Sequence, residues 1–291
     1  MLPDRFYKPK LNEVIFHYCN PNAFFGLTQS KRLWFSDVFA MNDFMEMHWG
    51  YSIFEQAASE LLKSIPKDFF DHVDGEIAST GGSVLPLVSC FSLDGDVLSQ
   101  WRAYSDDGKG FAVGFSASDL VQMPVRPLRV LYDRRNQVDE LKAVLLALYE
   151  VEKGNGLHYG DDFRIECRFL ALDLCALKNP AFQEEKEIRL AHAVNFVDPG
   201  GRKPIGGKKL VSVGGTAWGR SAKAEEIKFR MKGEIPVSHV AIDFTNSGRT
   251  NPIKKIMLGP KNQNLSSNIG VYLNTVGIHG VTVEKSAASY V

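Results

Sequence analysis

Residues 186–196 have the sequence KEIRLAHAVNF, and this stretch decides the predicted fold. Its apolar side chains share one parity: Ile188, Leu190, Val194 and Phe196. The polar side chains share the other parity, together with one glutamate just before the stretch: Glu185, Glu187, Arg189 and Asn195. Because successive side chains of a strand point to opposite faces, the pattern predicts a strand with one core face and one polar face.

Strands and helices mix irregularly along the rest of the chain. Short β-rich runs are found at 14–18 (VIFHY), 32–36, 83–93, 110–116, 237–244, 253–260 and 280–285. Apolar residues at helical spacing occur after residue 20, from residue 41 to Pro66, and over 137–153, 163–178 and 262–277. Without regular βαβ alternation, the order predicts an α+β fold with a mixed or antiparallel sheet core and flanking helices. We expect residues 1–291 to form a single α+β domain with a basic, Gly-rich insertion at about 199–232.

The overall composition is typical of a folded globular protein. The 291 residues include 34 Lys and Arg against 34 Asp and Glu, and 44% are apolar, which excludes disordered and collagen-like chains. No apolar run approaches the ~18–20 residues of a membrane span, and the first residues lack the order of a secretory signal. The 4 cysteines form no C-x-x-C pair. We therefore expect a cytoplasmic protein with reduced thiols and no membrane partner.

Charge is distributed unevenly although the net charge is zero. Residues 201–291 hold 14 basic and 5 acidic side chains, whereas residues 1–200 hold 20 and 29. Such a basic region suggests an anionic partner, either nucleic acid or a phosphate-bearing cofactor. An internal dipole without any partner would give the same count.

The basic stretch 202–232 predicts a nucleic-acid contact. It holds nine Lys and Arg residues around Trp218, among them Lys208, Lys209 and Arg220. Single-stranded RNA or DNA is bound by cations that follow the phosphates and by aromatic rings that stack on bases. A solvated β-hairpin is the alternative for this stretch.

Several common types of site are absent from the sequence. The chain has no H-E-x-x-H motif and no cluster of His and Cys at metal-ligand spacing, so we expect no catalytic metal. It also lacks a P-loop and a G-x-S-x-G elbow, which argues against an NTPase and a serine hydrolase.

Four stretches in a fixed order resemble a widespread bacterial family known only as a domain of unknown function, often found near phage-defence genes. They are FHYC (16–19), MNDFME (41–46), SCFS…WRAYSDDGKGFAVGF (89–115) and FQEEKEIRLA (182–191). The later stretches IKKIMLGPK and GVTVEKS give weaker support. Family membership of this kind implies no particular reaction, so the chemistry has to come from the residues.

A second resemblance concerns His17 and Tyr18, which stand on a predicted first strand followed by a helix and a short strand. This opening is similar to that of mono-ADP-ribosyltransferases of the His-Tyr-Glu type. The resemblance implies that NAD is the substrate, that His17 bonds the NAD ribose, and that Tyr18 stacks on nicotinamide. It also implies that a glutamate late in the chain bonds the nicotinamide ribose, and Glu187 fits this role.

Transfer of ADP-ribose from NAD requires a carboxylate near the ribose. Cleavage of the bond to nicotinamide forms an oxocarbenium-like centre, which a nearby carboxylate stabilises. Glu185 and Glu187 are two apart, which on a strand places them on one face at a separation of ~7 Å, together with Arg189. The alternative is an exposed strand face on which Glu187 pairs with Arg189, an arrangement of little energetic value.

Further candidates follow from the middle of the chain. Ser89 and Ser92 lie on a strand that resembles the serine-bearing middle strand of some ADP-ribosyltransferases, where a hydroxyl supports the contact between ribose and histidine. Tyr104 is the preferred candidate for stacking on nicotinamide, ahead of Tyr18, although its spacing from Trp101 also fits a core position. Arg102 is a candidate for a phosphate contact.

Together these features predict an enzyme that resembles ADP-ribosyltransferases and modifies a macromolecule, with nucleic acid as the favoured acceptor and a toxin or anti-phage role. Glu187, Glu185 and His17 are the expected catalytic residues. One alternative is a non-enzymatic nucleic-acid-binding or sensor protein. Another is a nuclease or glycosidase that uses Glu185 and Glu187.

Overall fold

A computed structural model describes residues 5–38, 46–80, 84–197, 209–212, 215–288 and 290. The helices are α1 (Pro21–Ser30), α2 (Glu46–Leu61), α3 (Lys67–Thr80), α4 (Leu98–Tyr104), α5 (Ala117–Leu120), α6 (Arg134–Gly154), α7 (Asp161–Asp173) and α8 (Ser266–Thr275), with short 3-10 helices at Leu174–Ala176 and Pro180–Glu185. The strands are β1 (Val14–Cys19), β2 (Arg32–Asp37), β3 (Val84–Ser92), β4 (Phe111–Ser116), β5 (Arg126–Arg129), β6 (Glu187–Val197), β7 (Lys209–Ser212), β8 (Thr216–Ala217), β9 (Arg220–Ser221), β10 (Lys228–Lys232), β11 (Ile235–Asp243), β12 (Ile253–Leu258) and β13 (Thr282–Lys285).

Among the described residues, 11 strands form one mixed sheet with the main order β10-β11-β2-β3-β1-β4-β12-β13. All strand pairs in it are antiparallel except β12 with β13. β6 pairs with β3, β5 and β7, and the two short strands β8 and β9 form a separate ribbon. The prediction of an α+β fold with a mixed sheet and flanking helices is confirmed.

A fork in the sheet at β3 creates the space for the site. β3 pairs with β6 along its whole length, Val84–Ser92. Its other edge is shared, because β2 pairs there at residues 87–88 and β1 pairs at Ser92. Positions 89–91 therefore have no neighbouring strand on that edge within the described part of the chain. β1 and β2 lie on either side of this gap, and α1 joins them.

The turn chemistry at both ends of α1 fixes the fork. The Asn20 side chain caps the helix by accepting a hydrogen bond from the Ala23 amide at 2.8 Å, and Pro21 begins the first turn. Lys31 adopts a left-handed conformation with φ of 55°, and its amide bonds the Leu27 carbonyl, which ends the helix. The chain can therefore enter β2 directly. This confirms the predicted order of strand, helix and strand at the start of the chain.

Two large apolar clusters pack the elements together. The main core is built on one face of the sheet from residues such as Leu33, Phe35, Phe115, Ile188 and Val240. The helical core joins α2, α3, α6 and α7 through residues such as Ile53, Phe69, Leu145, Phe163 and Leu170. None of the helices described here is long and apolar enough to cross a membrane.

The predicted strand at 186–196 exists, but its polar face is not open. Glu187 is 6% exposed and Arg189 is 1% exposed, so both faces of β6 are buried. The exposed face that we considered as the alternative is therefore wrong. The cause is that β6 lies inside the sheet, where the chain at Cys175 covers its second face and accepts a hydrogen bond from Arg189.

Two further expectations differ from the structure. Glu185 is not a strand residue, because it ends the 3-10 helix Pro180–Glu185, and Lys186 with φ of 45° turns the chain into β6. The helix predicted over 163–178 ends as an α-helix at Asp173 and continues as a 3-10 turn. Leu177 then forms a β-bridge with Leu131, which requires extended backbone at that point.

Candidate functional site

A cavity of about 610 Å³ occupies the fork between β1 and β2. This volume is within the range of small-molecule sites in proteins. The predicted site residues in its wall are His17, Tyr18, Ser89, Tyr104, Glu185 and Glu187. Side chains from β1, β3, α4, a 3-10 helix and β6 thus reach one space. We call this group the inner end of the cavity.

His17 presents a hydrogen-bond acceptor to the inner end. Its Nδ1 lies 2.9 Å from the Cys90 carbonyl oxygen, in the gap where β3 has no neighbouring strand. A carbonyl only accepts hydrogen bonds, so Nδ1 carries the proton. Burial lowers the pKa of His17 below its ordinary 6.5, against the opposite effect of the Cys90 carbonyl, and the ring is neutral at pH 7. Nε2 therefore keeps its lone pair, with no partner among the described residues.

Ser89 adds a second polar atom without a partner. The residue is 2% exposed and lies in the cavity wall, and its Oγ makes no hydrogen bond within the described residues. A buried hydroxyl without a partner costs free energy, which makes it a candidate for a ligand contact. Ser92 has a different position. Its Oγ donates to the Glu185 carbonyl at 2.7 Å and accepts from the Asp94 amide, so it fixes the backbone near Glu185 and does not line the cavity.

Glu187 is held as a carboxylate by two cations, Arg189 outside the cavity wall and Lys178 within it. Arg189 donates to both of its oxygens, from Nε at 2.8 Å and from Nη2 at 2.9 Å, and Lys178 Nζ lies 3.2 Å from Oε2. Burial by itself raises the pKa of Glu187. The charges of Arg189 and Lys178 and a hydrogen bond from the Cys90 thiol outweigh it and lower the pKa from 4.5 to about 2.

Glu185 is the more titratable of the two carboxylates. It accepts hydrogen bonds from Lys178 Nζ at 2.5 Å and from the Tyr104 hydroxyl at 3.2 Å. Burial raises its pKa above 4.5, and the negative charge of Glu187 adds to the rise, while Lys178 and Tyr104 oppose it. Lys178 thus joins the two carboxylates, and its position within an apolar run was the only sign of it in the sequence.

The two candidate tyrosines differ in what they offer a ligand. The Tyr18 hydroxyl donates to the Asp94 carbonyl at 3.0 Å and accepts from the Val97 amide at 2.9 Å, and its ring packs edge-on against Trp101. Its contacts are therefore those of a core residue. Tyr104 is half-buried beside Glu185, and burial raises its pKa, so its hydroxyl stays a donor. Arg102 is exposed and lies 5.6 Å from the Tyr290 ring, outside the cavity wall.

The exposed end of the cavity contains residues that the sequence analysis missed. We call Trp34, Ser36, Arg230 and Lys232 the outer end. Trp34 is 46% exposed, and the Arg230 guanidinium lies 5.7 Å from its ring centroid. These residues come together because β2 and β10 both pair with β11. The basic residues of β10 alternate along KFRMK, and this alternation is the feature of the sequence from which a basic strand face could have been predicted.

The predicted nucleic-acid residues are not gathered at the cavity. Lys208 and the side chain of Lys209 lie outside the described residues, although the Lys209 backbone begins β7. Trp218 is half-buried and packs against the main core, so the expectation of an exposed stacking ring is wrong. Its backbone amide donates to the Gln122 carbonyl at 2.8 Å. Arg220 is exposed on the β8–β9 ribbon.

The described side chains include no group of three or more His, Cys, Asp or Glu placed to hold a metal ion.

Residues 100–190 match the family described as a protein of unknown function (DUF2971). The match supports the resemblance to a family of that description, and it includes Tyr104, Lys178, Glu185 and Glu187. Neither the curated proteins nor the solved structures contain a match to this chain.

Proposed function

We propose that this protein is an enzyme similar to ADP-ribosyltransferases, which binds NAD in the fork cavity and transfers ADP-ribose to a macromolecule. One observation carries the proposal. Around the gap in the sheet, the cavity is lined by a neutral imidazole and a buried serine hydroxyl without a described partner on the Phe91 face of β3, and by two carboxylates from the opposite side. A ribose with its hydroxyls and a developing positive charge is a ligand that uses all of these groups.

Ground-state binding of the sugar falls to His17 and Ser89. Nε2 of His17 accepts a hydrogen bond from a ribose hydroxyl, and the Ser89 hydroxyl satisfies its missing hydrogen bond on the same sugar. Both side chains lie on the same face of their strands as the main-core residue Phe91, whose ring centroid is 5.5 Å from that of His17. This packing keeps the imidazole in place before the ligand arrives.

The chemical step needs negative charge near the ribose C1′. The bond between C1′ and the nicotinamide nitrogen breaks, and its electron pair neutralises the positive charge of the nicotinamide ring. The oxocarbenium-like centre that results is stabilised by Glu187, which remains ionised because Arg189 and Lys178 lower its pKa. An acceptor hydroxyl or amine then bonds to C1′, and its proton moves to Glu185, whose raised pKa suits a base.

The formal charges of Glu185, Glu187, Lys178 and Arg189 cancel. The field at a bound ligand therefore depends on which of these groups line the cavity. Glu185, Glu187 and Lys178 line the cavity, whereas Arg189 does not. A ligand in the cavity therefore meets the carboxylate first and the guanidinium behind it. A glycosidase needs one carboxyl group with a raised pKa and one ionised carboxylate, and Glu185 and Glu187 also meet that requirement.

The direct assay uses NAD labelled in its adenine ring. The purified chain is incubated with it alone, with RNA and with DNA, and both nicotinamide release and label transfer are measured. We expect nicotinamide release, with label on a nucleic acid. Binding of RNA or DNA without any nicotinamide release would favour the non-enzymatic binding or sensor protein instead.

A further inference from the structure

The outer end of the cavity has an aromatic surface supported from below. The rings of Trp34 and His239 lie with their centroids 4.6 Å apart, and His239 is 4% exposed. Trp34 itself is half-exposed and belongs to the cavity wall. A rigidly supported and accessible indole is a suitable surface for a nucleobase, because every base has an aromatic face.

Arg230 brings to the same end a positive charge that forms no ion pair with a described carboxylate. Its guanidinium bonds the Ser36 hydroxyl at 3.4 Å. Arg32, by contrast, is paired with Glu225. Asp37 also lines the cavity, but it follows Ser36 and therefore belongs to the opposite face of β2.

The effect of this charge on its neighbours is consistent with an anion site. Burial lowers the pKa of Lys232 below 10.5, and the charge of Arg230 lowers it further. Burial likewise lowers the pKa of His239, with added repulsion from Arg230 and Lys228. A phosphate placed among these groups would relieve that repulsion.

The two ends of the cavity meet across the gap between β2 and β3. Trp34 and Ser36 are ~7 Å apart along β2. Ser36 lies opposite Val88, two residues before Cys90 on β3. Because β2 and β3 are antiparallel, this register continues to Trp34 level with Cys90, across the gap where the two strands no longer pair, and the Cys90 carbonyl holds His17.

We infer that the outer end is a nucleotide subsite, in which Trp34 stacks on a purine base while Arg230 and Lys232 bind the phosphates. This assignment rests on the proposed function, since it places the adenosine diphosphate half of NAD at the outer end and the nicotinamide ribose at the inner end. It also names the source of the base, which is the dinucleotide and not a nucleic-acid acceptor.

The test measures binding of ADP, adenosine and nicotinamide riboside to the full chain by calorimetry. We expect Trp34→Ala to weaken ADP binding by about ten- to a hundred-fold, which corresponds to the loss of one stacked base. Trp34→Phe should restore most of the affinity. Arg230→Gln should weaken ADP but not adenosine, and neither variant should change binding of nicotinamide riboside. Arg249→Gln, an exposed arginine outside the cavity wall, is the matched control.

The outcomes separate the subsite from the reaction. Trp34-dependent ADP binding without nicotinamide release would support the subsite and contradict the proposed function. If nicotinamide is released but neither Trp34→Ala nor Arg230→Gln changes ADP binding, the subsite is overturned and the proposed function stands. Trp34-dependent binding of a single-stranded oligonucleotide, with no binding of free ADP, would also overturn the assignment. Circular dichroism of each variant checks that the fold is kept.

Discussion

Arg189 holds both carboxylate oxygens of Glu187, at 2.8 and 2.9 Å, within the interior of the protein. The pair therefore differs from a surface ion pair, whose value is about 0–1 kcal/mol. Inside a protein, the removal of one partner leaves the other charge without compensation. Glu187 thus has a structural task as well as the electrostatic one that we propose.

We expect Glu187→Gln to lower the free energy of unfolding by about 3–5 kcal/mol, because it leaves Arg189 buried without its counter-charge. Urea unfolding followed by circular dichroism measures this. The matched control is Glu284→Gln, which removes an exposed carboxylate 2.8 Å from Lys255 and should cost less than about 1 kcal/mol. Equal effects of the two substitutions would contradict the buried clamp.

The same clamp predicts a loss of stability in acid. The pKa of Glu187 is lowered from 4.5 to about 2 in the folded state, so the group stabilises the fold above pH 4.5. This contribution is lost as the pH falls towards 2. Glu185, whose pKa is raised, acts in the opposite direction. In Glu187→Gln the decline of stability between pH 4.5 and 2 should be shallower, and an unchanged decline would count against the assignment.

Glu185 offers the cleaner test of the chemistry, because Glu185→Gln leaves Glu187 to compensate Lys178. We expect this substitution to lower turnover of NAD by roughly 10²–10³-fold while the affinity for NAD stays the same. Rapid-quench measurement of nicotinamide release gives the turnover, and calorimetry gives the affinity. If turnover is normal in a folded variant, Glu185 has no part in the reaction.

The pH dependence of turnover should depend on Tyr104. Glu185 must be ionised to accept a proton, so activity should rise with pH through a midpoint above 4.5, because its pKa is raised. The hydrogen bond from the Tyr104 hydroxyl lowers the pKa of Glu185 and so opposes the effect of burial. Tyr104→Phe should therefore shift the midpoint to higher pH, and a shift to lower pH would show that the sign is wrong.

The sequence predicted β1–β4, β6 and β11–β13, the alternation along 186–196 and most of the inner end, because these depend on local periodicity and on motifs in the sequence. It did not predict β5 or β7–β10. It could not predict that Glu187 and Arg189 are buried, since their cover comes from the chain around Cys175. The contact between His17 and Cys90 likewise joins positions 73 residues apart. Trp218 was misplaced because its Gly-rich neighbours suggested exposure, whereas its contacts are made with the main core.

Because Trp218 packs against the main core, its substitution should affect stability and not base stacking. We expect Trp218→Ala to lower the free energy of unfolding by about 1–3 kcal/mol.

The proposed contacts of Lys208 and Lys209 with nucleic acid are tested separately by Lys208→Ala with Lys209→Ala. This pair should flatten the log–log salt dependence of RNA binding by about 1.4. Affinity that does not depend on salt would remove nucleic acid as the partner of this region.

Binding of NAD in the fork cavity is tested by calorimetric titration of the chain with millimolar NAD, alongside the His17→Ala variant. We expect saturable heat for the wild type. For the variant we expect weaker binding but little change in the chemical step, because the contact to ribose exists already in the ground state. Binding should not change between pH 7 and 8, since His17 is neutral there. No heat from the wild type, with the fold verified, would contradict the claim that the fork cavity binds NAD.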